Sequence, residues 1–452
     1  MLIIGSVLKL RRGIPNMKRL LALFLALVLM MSLTATVNAE KHTVTFWHCF
    51  GGTIGEALQA TVDAFNASQD EIFVEASFQG SYDETLTKLK AAFPAGTAPD
   101  VFQMFELGTN YLAGTDYVVP FQDMLEKDPY ITLDNIEGVL RNYYTVDGKM
   151  MCIPLNPSSP VMYYNKTAFE KAGITEVPTT FAQIEAIAEK ITGVEGNPKY
   201  AMGLSIYGWF FENLLAGTNN LYVNGGNGRT EPATAIEYDT NGGGKLVLES
   251  WKRLVDNGTC YNFGIDNDSS KAAFIAGDTA ITFESTAQLT TITKGAQFEV
   301  GTAYLPSVLD ESIGGVLIGG ANLWLSKQAD EHKLQDAWEF IKFATSAQPA
   351  AAFSMKTGYF AANTTAYAVP EYVAYLESTP NAQVALNQLH DSPLNLATAG
   401  ASVGVMGELR QIWQTHMDLY LQGAYGTAEE AMAEMAGESN SAIEYYNQTS
   451  GK

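Results

Sequence analysis

The sequence predicts an α/β fold organised as two lobes, and three observations support this prediction. The chain has 452 residues, of which 47% are hydrophobic, so it is long enough for two domains with substantial cores. Strand and helix patterns alternate along the first part of the chain, from about residue 40 to 104. The pattern resumes after about residue 150 without a low-complexity linker, so we expect several chain segments to cross between the lobes.

The first elements are defined by the spacing of their apolar residues. Strands are predicted at 43–46, 72–74 and 101–104, and helices at 55–66 and 83–93. Strands that alternate with helices through short connections are typical of βαβ units. We therefore expect a mainly parallel sheet.

The second half carries start signals for further helices. Thr180 and Gln183 have the spacing of a capping box, as do Thr427 and Glu430. Residues 280–283 have the composition of a strand, and the last 110 or so residues are predicted to be mostly helical. Stretches rich in Gly and Asn at 218–229 and 240–244 are predicted to form surface loops.

The N-terminus has the layout of a secretory signal peptide. A basic start at 17–19 precedes an apolar run at 20–33, and residues 37–39 resemble a cleavage site. We expect residues 1–39 to be removed and the mature protein to be secreted into the periplasm or the exterior of the cell envelope. Residues 1–16 are interpreted as an upstream extension, so either Met1 or Met17 is the start. A lasting N-terminal membrane anchor is the alternative, although the apolar run is short for one.

The mature chain is strongly acidic. Residues 1–39 hold five basic and no acidic residues, so their removal changes the formal net charge from −22 to −27. Such a charge disfavours binding to nucleic acid or to anionic lipid surfaces. The three cysteines, Cys49, Cys152 and Cys260, form neither a zinc pattern nor a disulfide framework, and one disulfide among them remains open.

We recognise no catalytic or metal-binding motif in the sequence. We therefore predict no metal, no cofactor and no enzymatic activity. The five histidines lack metal-ligand spacing, and no nucleophile elbow is predicted. The acidic start at 266–270 resembles a calcium loop, but Lys271 stands where the loop needs Gly. A secreted hydrolase that uses Glu106 and Glu284 as paired carboxylates is the alternative from another class.

Four short motifs resemble those of one transport family. They are Phe46-Trp47-His48, Ala98-Pro99-Asp100-Val101, Tyr163-Tyr164-Asn165-Lys166 and Lys356-Thr357-Gly358-Tyr359. The chain resembles the extracellular solute-binding proteins (family 1) of bacterial ABC importers, and within them the members that bind glycerol-3-phosphate. The resemblance implies a periplasmic-binding-protein type II fold, in which a ligand cleft separates two α/β lobes. It places lobe 1 at 40–148 plus 287–339 and lobe 2 at 149–286 plus 340–452.

The same resemblance implies a set of ligand-binding residues. They are Tyr82, Glu106, Ser158, Trp209, Ser285, Gly320, Tyr359 and Arg410. Ile206 departs from the pattern, because the family has a second tryptophan at this position. Without the resemblance, the favoured interpretation of Arg410 is a solvated helix arginine paired with Glu408 or Asp418.

The chemistry of these residues suits a ligand with a phosphate end and a polyol end. A phosphate that leaves water needs donors, and Arg410 offers a charged fork beside neutral hydroxyl and backbone donors. Glu106 is suited to accept hydrogen bonds from hydroxyl groups, and Trp209 to cover the carbon skeleton. We therefore expect a monomeric receptor for glycerol-3-phosphate or a glycerophosphodiester such as glycerophosphocholine, which docks on importer permease subunits. A receptor for a sugar or oligosaccharide is the alternative of the same class.

Overall fold

The computed structural model describes residues 41–311, 315–327 and 330–450. The expected signal peptide, residues 1–39, lies outside the described residues. Within the described part of the chain, no helix is both long enough and apolar enough to span a membrane.

Five strands from the first part of the chain and one later strand form a six-stranded sheet. Its strands are β1 (His42–His48), β2 (Ile72–Phe78), β3 (Val101–Phe105), β4 (Val118–Val119), β7 (Ile153–Ser158) and β13 (Gly319–Ser326). The strand order is β2-β1-β3-β13-β4, and β7 also pairs with β13. A small hairpin of β5 (Thr145–Val146) and β6 (Lys149–Met150) precedes β7. The three strands predicted at the start of the chain are confirmed.

The expectation of a mainly parallel sheet is wrong for most of these pairs. Strands β1 and β3 are parallel, but β13 runs antiparallel to β3, β4 and β7. Only strands joined by a local βαβ crossover have their direction fixed by that connection. Strand β13 enters the sheet more than 200 residues after β3, so the local alternation of strands and helices carries no information about its direction.

Helices cover this sheet and connect its strands. They are α1 (Gly52–Ser68), α2 (Tyr82–Ala95), α3 (Thr109–Ala113), α4 (Phe121–Lys127) and α5 (Gly138–Tyr144). Helix α2 begins where Ser81 and Glu84 form a capping box, and it ends at Gly96, whose φ of 68° is left-handed. This capping fixes the position of Tyr82, which is the first residue of α2 after the loop that follows β2.

A second group of strands lies in the middle of the chain. Strands β8 (Pro160–Asn165), β11 (Ile281–Ser285) and β12 (Val300–Ala303) form an antiparallel sheet, and β9 (Met202–Leu204) pairs in parallel with β10 (Cys260–Asn262). The accompanying helices are α6 (Lys166–Lys171), α7 (Phe181–Thr192), α8 (Gly208–Gly217), α9 (Gly243–Asp256), α10 (Asn267–Ala276) and α11 (Leu289–Gly295). The strand predicted at 280–283 is confirmed as β11.

The end of the chain is helical, as predicted. Its helices are α12 (Glu331–Ala344), α13 (Ala347–Thr357), α14 (Pro370–Ser378), α15 (Pro380–Asp391), α16 (Met406–Leu421) and α17 (Ala428–Ser450). Thr427 accepts a hydrogen bond from the backbone N–H of Glu430 at the start of α17. Likewise Thr180 caps α7 by accepting from the N–H of Gln183. Both predicted helix starts are therefore confirmed.

The described residues form two large hydrophobic cores. The first runs from Val44 to Leu389 and the second from Met162 to Ile443, so their sequence ranges overlap. Strand β8 contributes to both, because Val161 and Tyr163 join the first core while the intervening Met162 joins the second. Helices α13 and α15 supply residues to the first core. The expected lobe boundaries at 148, 286 and 339 stay a prediction.

The three cysteines are free thiols. Cys152 and Cys260 are buried and Cys49 is partly buried. Burial raises the pKa of the Cys49 thiol to about 11, which keeps it protonated and poorly nucleophilic at neutral pH.

Candidate functional site

The eight residues predicted to bind ligand line one cavity of about 630 Å³. They are Tyr82, Glu106, Ser158, Trp209, Ser285, Gly320, Tyr359 and Arg410. Residues from both hydrophobic cores meet here, for example Tyr359 of the first core and Trp209 of the second. Their role in binding a ligand remains a prediction, but they share a single hollow.

Ends of strands and helices bring these side chains together. Glu106 directly follows β3, Ser158 is the last residue of β7, and Ser285 is the last residue of β11. Tyr82 is the first residue of α2, and Tyr359 lies just beyond α13. Crevices outside the carboxyl ends of strands are the usual ligand sites of open α/β sheets.

The two tyrosines are held by aromatic packing. The ring of Tyr82 stacks on Phe105 with centroids 5.1 Å apart, and the ring of Tyr359 stacks on Phe353 at 6.1 Å. Burial raises the pKa of both phenols well above the ordinary value of 10.0. Both hydroxyl groups therefore keep their protons at neutral pH and can donate hydrogen bonds.

Ser285 offers a hydroxyl donor to the cavity, and Gly320 lines it with backbone. The Ser285 hydroxyl oxygen accepts a hydrogen bond from the backbone N–H of Ala287 at 3.2 Å, which leaves its own O–H available as a donor. Gly320 has a φ of 100°, and a Cβ atom there would lie 2.0 Å from the carbonyl oxygen of Asn156. Only glycine therefore fits at this position of β13, which lets the backbone border the cavity.

Trp209 and its neighbours cover one wall of the cavity. The indole Nε1 donates to the carbonyl oxygen of Ile318 at 3.3 Å, and its ring packs so closely on Gly319 that a Cβ atom there would lie 2.6 Å from Cζ2. Ile206, the departure from the family pattern, is fully buried, and Tyr207 borders the cavity beside it.

Arg410 does not make the surface pairs with Glu408 or Asp418 that were considered for it. Its Nε donates to Glu212 Oε1 at 2.7 Å, and its Nη2 donates to Glu212 Oε2 at 2.9 Å. The same Nη2 donates to Glu106 Oε1 at 3.4 Å. Arg410 is thus a buried guanidinium shared by two carboxylates.

Glu212 is the residue of this site that the sequence analysis missed. It lies on α8 three positions after Trp209, which places both on one face of the helix. Helix α8 is buried from Gly208 to Ala216, and Glu212 is its one charged residue. A lone carboxylate in an apolar helix is seldom buried unless it is paired, so this pattern could have predicted a buried cation nearby.

Packing around Arg410 also depends on Gly208. A Cβ atom at Gly208 would lie 2.2 Å from Cγ of Arg410, so the absence of a side chain makes room for the stem of the arginine. The guanidinium then lies 5.8 Å from the ring centroid of Tyr207, within the range of a cation–π contact.

The electrostatics of the cavity are dominated by carboxylates. Burial raises the pKa of Glu106 to about 7, although the neighbouring Arg410 opposes the rise. Burial also raises the pKa of Glu284, which accepts hydrogen bonds from Asn267 and from its neighbour's backbone N–H. The lining includes three further acidic side chains, Asp83, Asp266 and Asp268. Arg410 is the one basic side chain among the described lining residues.

The acidic stretch that resembled a calcium loop has a structural role. Asp266 caps α10 by accepting from the backbone N–H of Ser269 at 3.1 Å and from its hydroxyl at 2.6 Å. Within the described residues, no group of three or more His, Cys, Asp or Glu side chains is arranged to hold a metal ion.

Solved structures of other proteins share the fold of this chain. The GacH receptor of Streptomyces glaucescens, solved unliganded and with acarbose, matches with a TM-score of 0.74 and 22% identity, covering 90% of this chain and 99% of that one. UgpB of Mycobacterium tuberculosis, solved with glycerophosphocholine, matches with a TM-score of 0.73 and 21% identity, covering 89% of this chain and 98% of that one. The predicted type II periplasmic-binding-protein fold is confirmed by these neighbours.

Sequence relatives agree with the structures. The sn-glycerol-3-phosphate-binding periplasmic protein UgpB of Yersinia pseudotuberculosis is 30% identical over 87% of this chain and 91% of its own length. The protein of the same name from Salmonella typhimurium is 29% identical over 86% and 90%. Residues 60–380 match the family described as bacterial extracellular solute-binding protein. On this evidence, the chain belongs to the bacterial extracellular solute-binding proteins.

Proposed function

We propose that this protein is the exported substrate-binding component of an ABC importer and that its cavity binds glycerol-3-phosphate or a glycerophosphodiester such as glycerophosphocholine. The observation that carries the proposal is the convergence of Arg410, two serines, two tyrosines and Gly320 on one cavity. Relatives over most of the chain are named for binding sn-glycerol-3-phosphate in the periplasm. The protein acts as a monomeric receptor without a cofactor or a covalent step.

The two ends of such a ligand meet different chemistry. The phosphate replaces its lost water with N–H donors of Arg410 and with neutral O–H donors of Ser158, Ser285 and the tyrosines. The glycerol hydroxyls donate to the buried carboxylate of Glu106, and the indole of Trp209 covers the carbon atoms. Closure of the lobes around the ligand then creates the surface that the permease recognises.

The decisive experiment is calorimetric titration of the mature protein, beginning at residue 40, with glycerol-3-phosphate, glycerophosphocholine and maltose. We expect binding of at least one phosphate ligand and none of maltose. A thermal-shift scan supports the titration, since ligand at 100 times its Kd adds about 2.7 kcal/mol of stability. Binding of maltose alone would favour the alternative of a sugar receptor, and turnover of ligand that is lost in Glu106→Gln would favour a hydrolase.

Variants locate the site. Ser285→Ala removes one donor with little change to the fold and is expected to weaken phosphate binding several-fold, by about 1 kcal/mol. Arg410→Ala is expected to abolish binding, and its folding is checked by circular dichroism because it leaves two carboxylates buried. Arg253→Ala is the matched control, since this arginine is half exposed and pairs with Glu185 away from the cavity. Unchanged affinity in Ser285→Ala and in folded Arg410→Ala would contradict the proposed site.

Export and oligomeric state have separate tests. We expect N-terminal sequencing of the protein recovered outside the cytoplasm to begin at Glu40. Light scattering of the mature protein is expected to give the mass of one chain. Retention of residues 17–39 in a membrane fraction would instead indicate an anchor.

A further inference from the structure

The arginine of the cavity already has a charge partner before any ligand arrives. The Nε and Nη2 atoms of Arg410 both donate to Glu212, and the two side chains are only 8% and 9% exposed. This is the bidentate fork-to-carboxylate geometry, in which a guanidinium is held in a fixed plane. Glu212 therefore occupies the edge of Arg410 that an incoming phosphate would otherwise use for a bidentate contact.

The donors that remain are limited in number. A guanidinium has five N–H donors, and Glu212 and Glu106 together accept from Nε and Nη2. Among the described residues, no acceptor is bonded to Nη1. The Nη1 donors are therefore the ones that remain for a ligand phosphate.

The three side chains of Arg410, Glu106 and Glu212 also have a defined net charge. One guanidinium and two ionised carboxylates give Arg410, Glu106 and Glu212 a net charge of −1 when both acids are ionised. The phosphate of a diester carries one negative charge, whereas a phosphate monoester carries about two at slightly alkaline pH because its second pKa is near 6. The second charge of a monoester meets an uncompensated carboxylate rather than a free cation.

We propose that Glu212 is a specificity-determining residue, which holds Arg410 by one edge, cancels its charge and thereby makes the cavity select phosphodiesters over phosphomonoesters. This inference rests on the proposed function. It deepens that function by naming phosphodiesters as the substrate class. Glu212 acts through Arg410, so it is a positioning residue rather than a ligand contact.

The size of the preference for phosphodiesters over phosphomonoesters follows from Coulomb's law. At an effective dielectric constant of about 20, one additional unit charge at roughly 6 Å from a carboxylate changes affinity by about a hundredfold. The test uses a matched pair of ligands, glycerol-3-phosphate and its methyl phosphodiester, which differ in one methyl group and one charge and contain no cationic head group. Titrations are run at about pH 8, above the pKa of about 7 for Glu106, so that the acid is ionised.

We expect the wild-type protein to bind the methyl diester at least about tenfold more tightly than the monoester. Glu212→Gln keeps an amide oxygen as an acceptor for Arg410 but removes the charge, so the ratio of the two Kd values should fall about tenfold. A purely structural loss would weaken both ligands equally and leave this ratio unchanged. Glu284→Gln is the matched control, because it removes another buried carboxylate of the cavity that bonds to Asn267 and Ser285 instead of to Arg410.

The outcomes separate the two proposals. If the wild type binds neither phosphate ligand, the proposed function fails and this inference fails with it. If the wild type binds but shows no preference for the diester, or if folded Glu212→Gln leaves the ratio unchanged, this inference alone is overturned. An equal change of the ratio in Glu284→Gln also overturns it, because the effect then belongs to the general charge of the cavity. If Glu212→Gln does not fold, the preference of the wild type decides.

Discussion

Replacement of Glu106 by Gln should change how the stability of the ligand-free protein depends on pH. Glu106 is 7% exposed and lines the cavity to which residues of both cores contribute. Its burial raises the pKa of the carboxyl from the ordinary 4.5 to about 7, against the opposing influence of Arg410. Folding therefore favours the protonated form, and ionisation of this acid in the folded protein costs free energy.

The magnitude follows from the two pKa values. The difference between 4.5 and about 7 corresponds to about 3 kcal/mol, at about 1.36 kcal/mol per pH unit. Because the folded-state pKa lies above the unfolded value, the stabilisation is fully present below about pH 4.5 and is lost as the pH rises through about 7. Glutamine does not titrate, so the stability of Glu106→Gln relative to the wild type should rise by about 3 kcal/mol over this range.

Urea unfolding at pH 4.5, 5.5, 6.5, 7.5 and 8.5 measures this difference. The control is Glu444→Gln, which removes the same charge from an exposed position of α17 and accounts for the change in overall charge. A difference between Glu106→Gln and wild type that stays constant with pH after this subtraction would refute the reasoning. It would mean that the Arg410 charge fully offsets the burial of the acid.

Two further predictions concern Arg410 and a histidine away from the cavity. Gly208→Ala should displace the arginine stem and weaken phosphate binding by about tenfold, the equivalent of one lost charged hydrogen bond. Gly437→Ala, on α17 away from the cavity and where a Cβ atom meets nothing within 4 Å, should bind like the wild type, and equal calorimetric affinities for the two variants would contradict the steric argument. The hydrogen bond to Glu137 raises the pKa of His390, so its stabilisation is present below about pH 6.5 and is lost as the pH rises. His390→Gln should therefore cost less than about 1 kcal/mol at pH 5.5, given its 46% exposure, and almost nothing at pH 8.5, and urea unfolding with an equal loss at both values would disprove it.

Local features of the fold could be predicted from the sequence because their causes are local. Apolar spacing and capping residues placed β1, α1 and the start of α7 within a few residues. The composition of the Gly-rich stretch at 240–244 predicts a loop, yet α9 begins inside it, at Gly243. A Cβ atom at Gly244 would lie 2.4 Å from the carbonyl oxygen of Tyr238, so these glycines serve close packing as well as turning. Packing against a distant residue leaves no periodic signal in the sequence.

The candidate site was predicted through motifs, and its missing member shows the limit of motifs. Each of the eight residues borders the cavity, but the sequence suggests partners for Arg410 only on its own helix, where Glu408 and Asp418 lie. The actual partner, Glu212, is 198 residues away in the sequence. Long-range pairing depends on how the helices pack, and α8 and α16 meet only in the folded structure.

The interleaving of the two cores also determines when folding can be completed. The first core needs residues up to Leu389 and the second needs residues up to Ile443, so neither is complete until nearly the whole polypeptide has been synthesised. A nascent chain of this kind stays open for long, because its contacts join segments that are far apart in sequence and form slowly. Under the proposed export, slow acquisition of native structure would give a translocation machinery time to engage the chain before it folds.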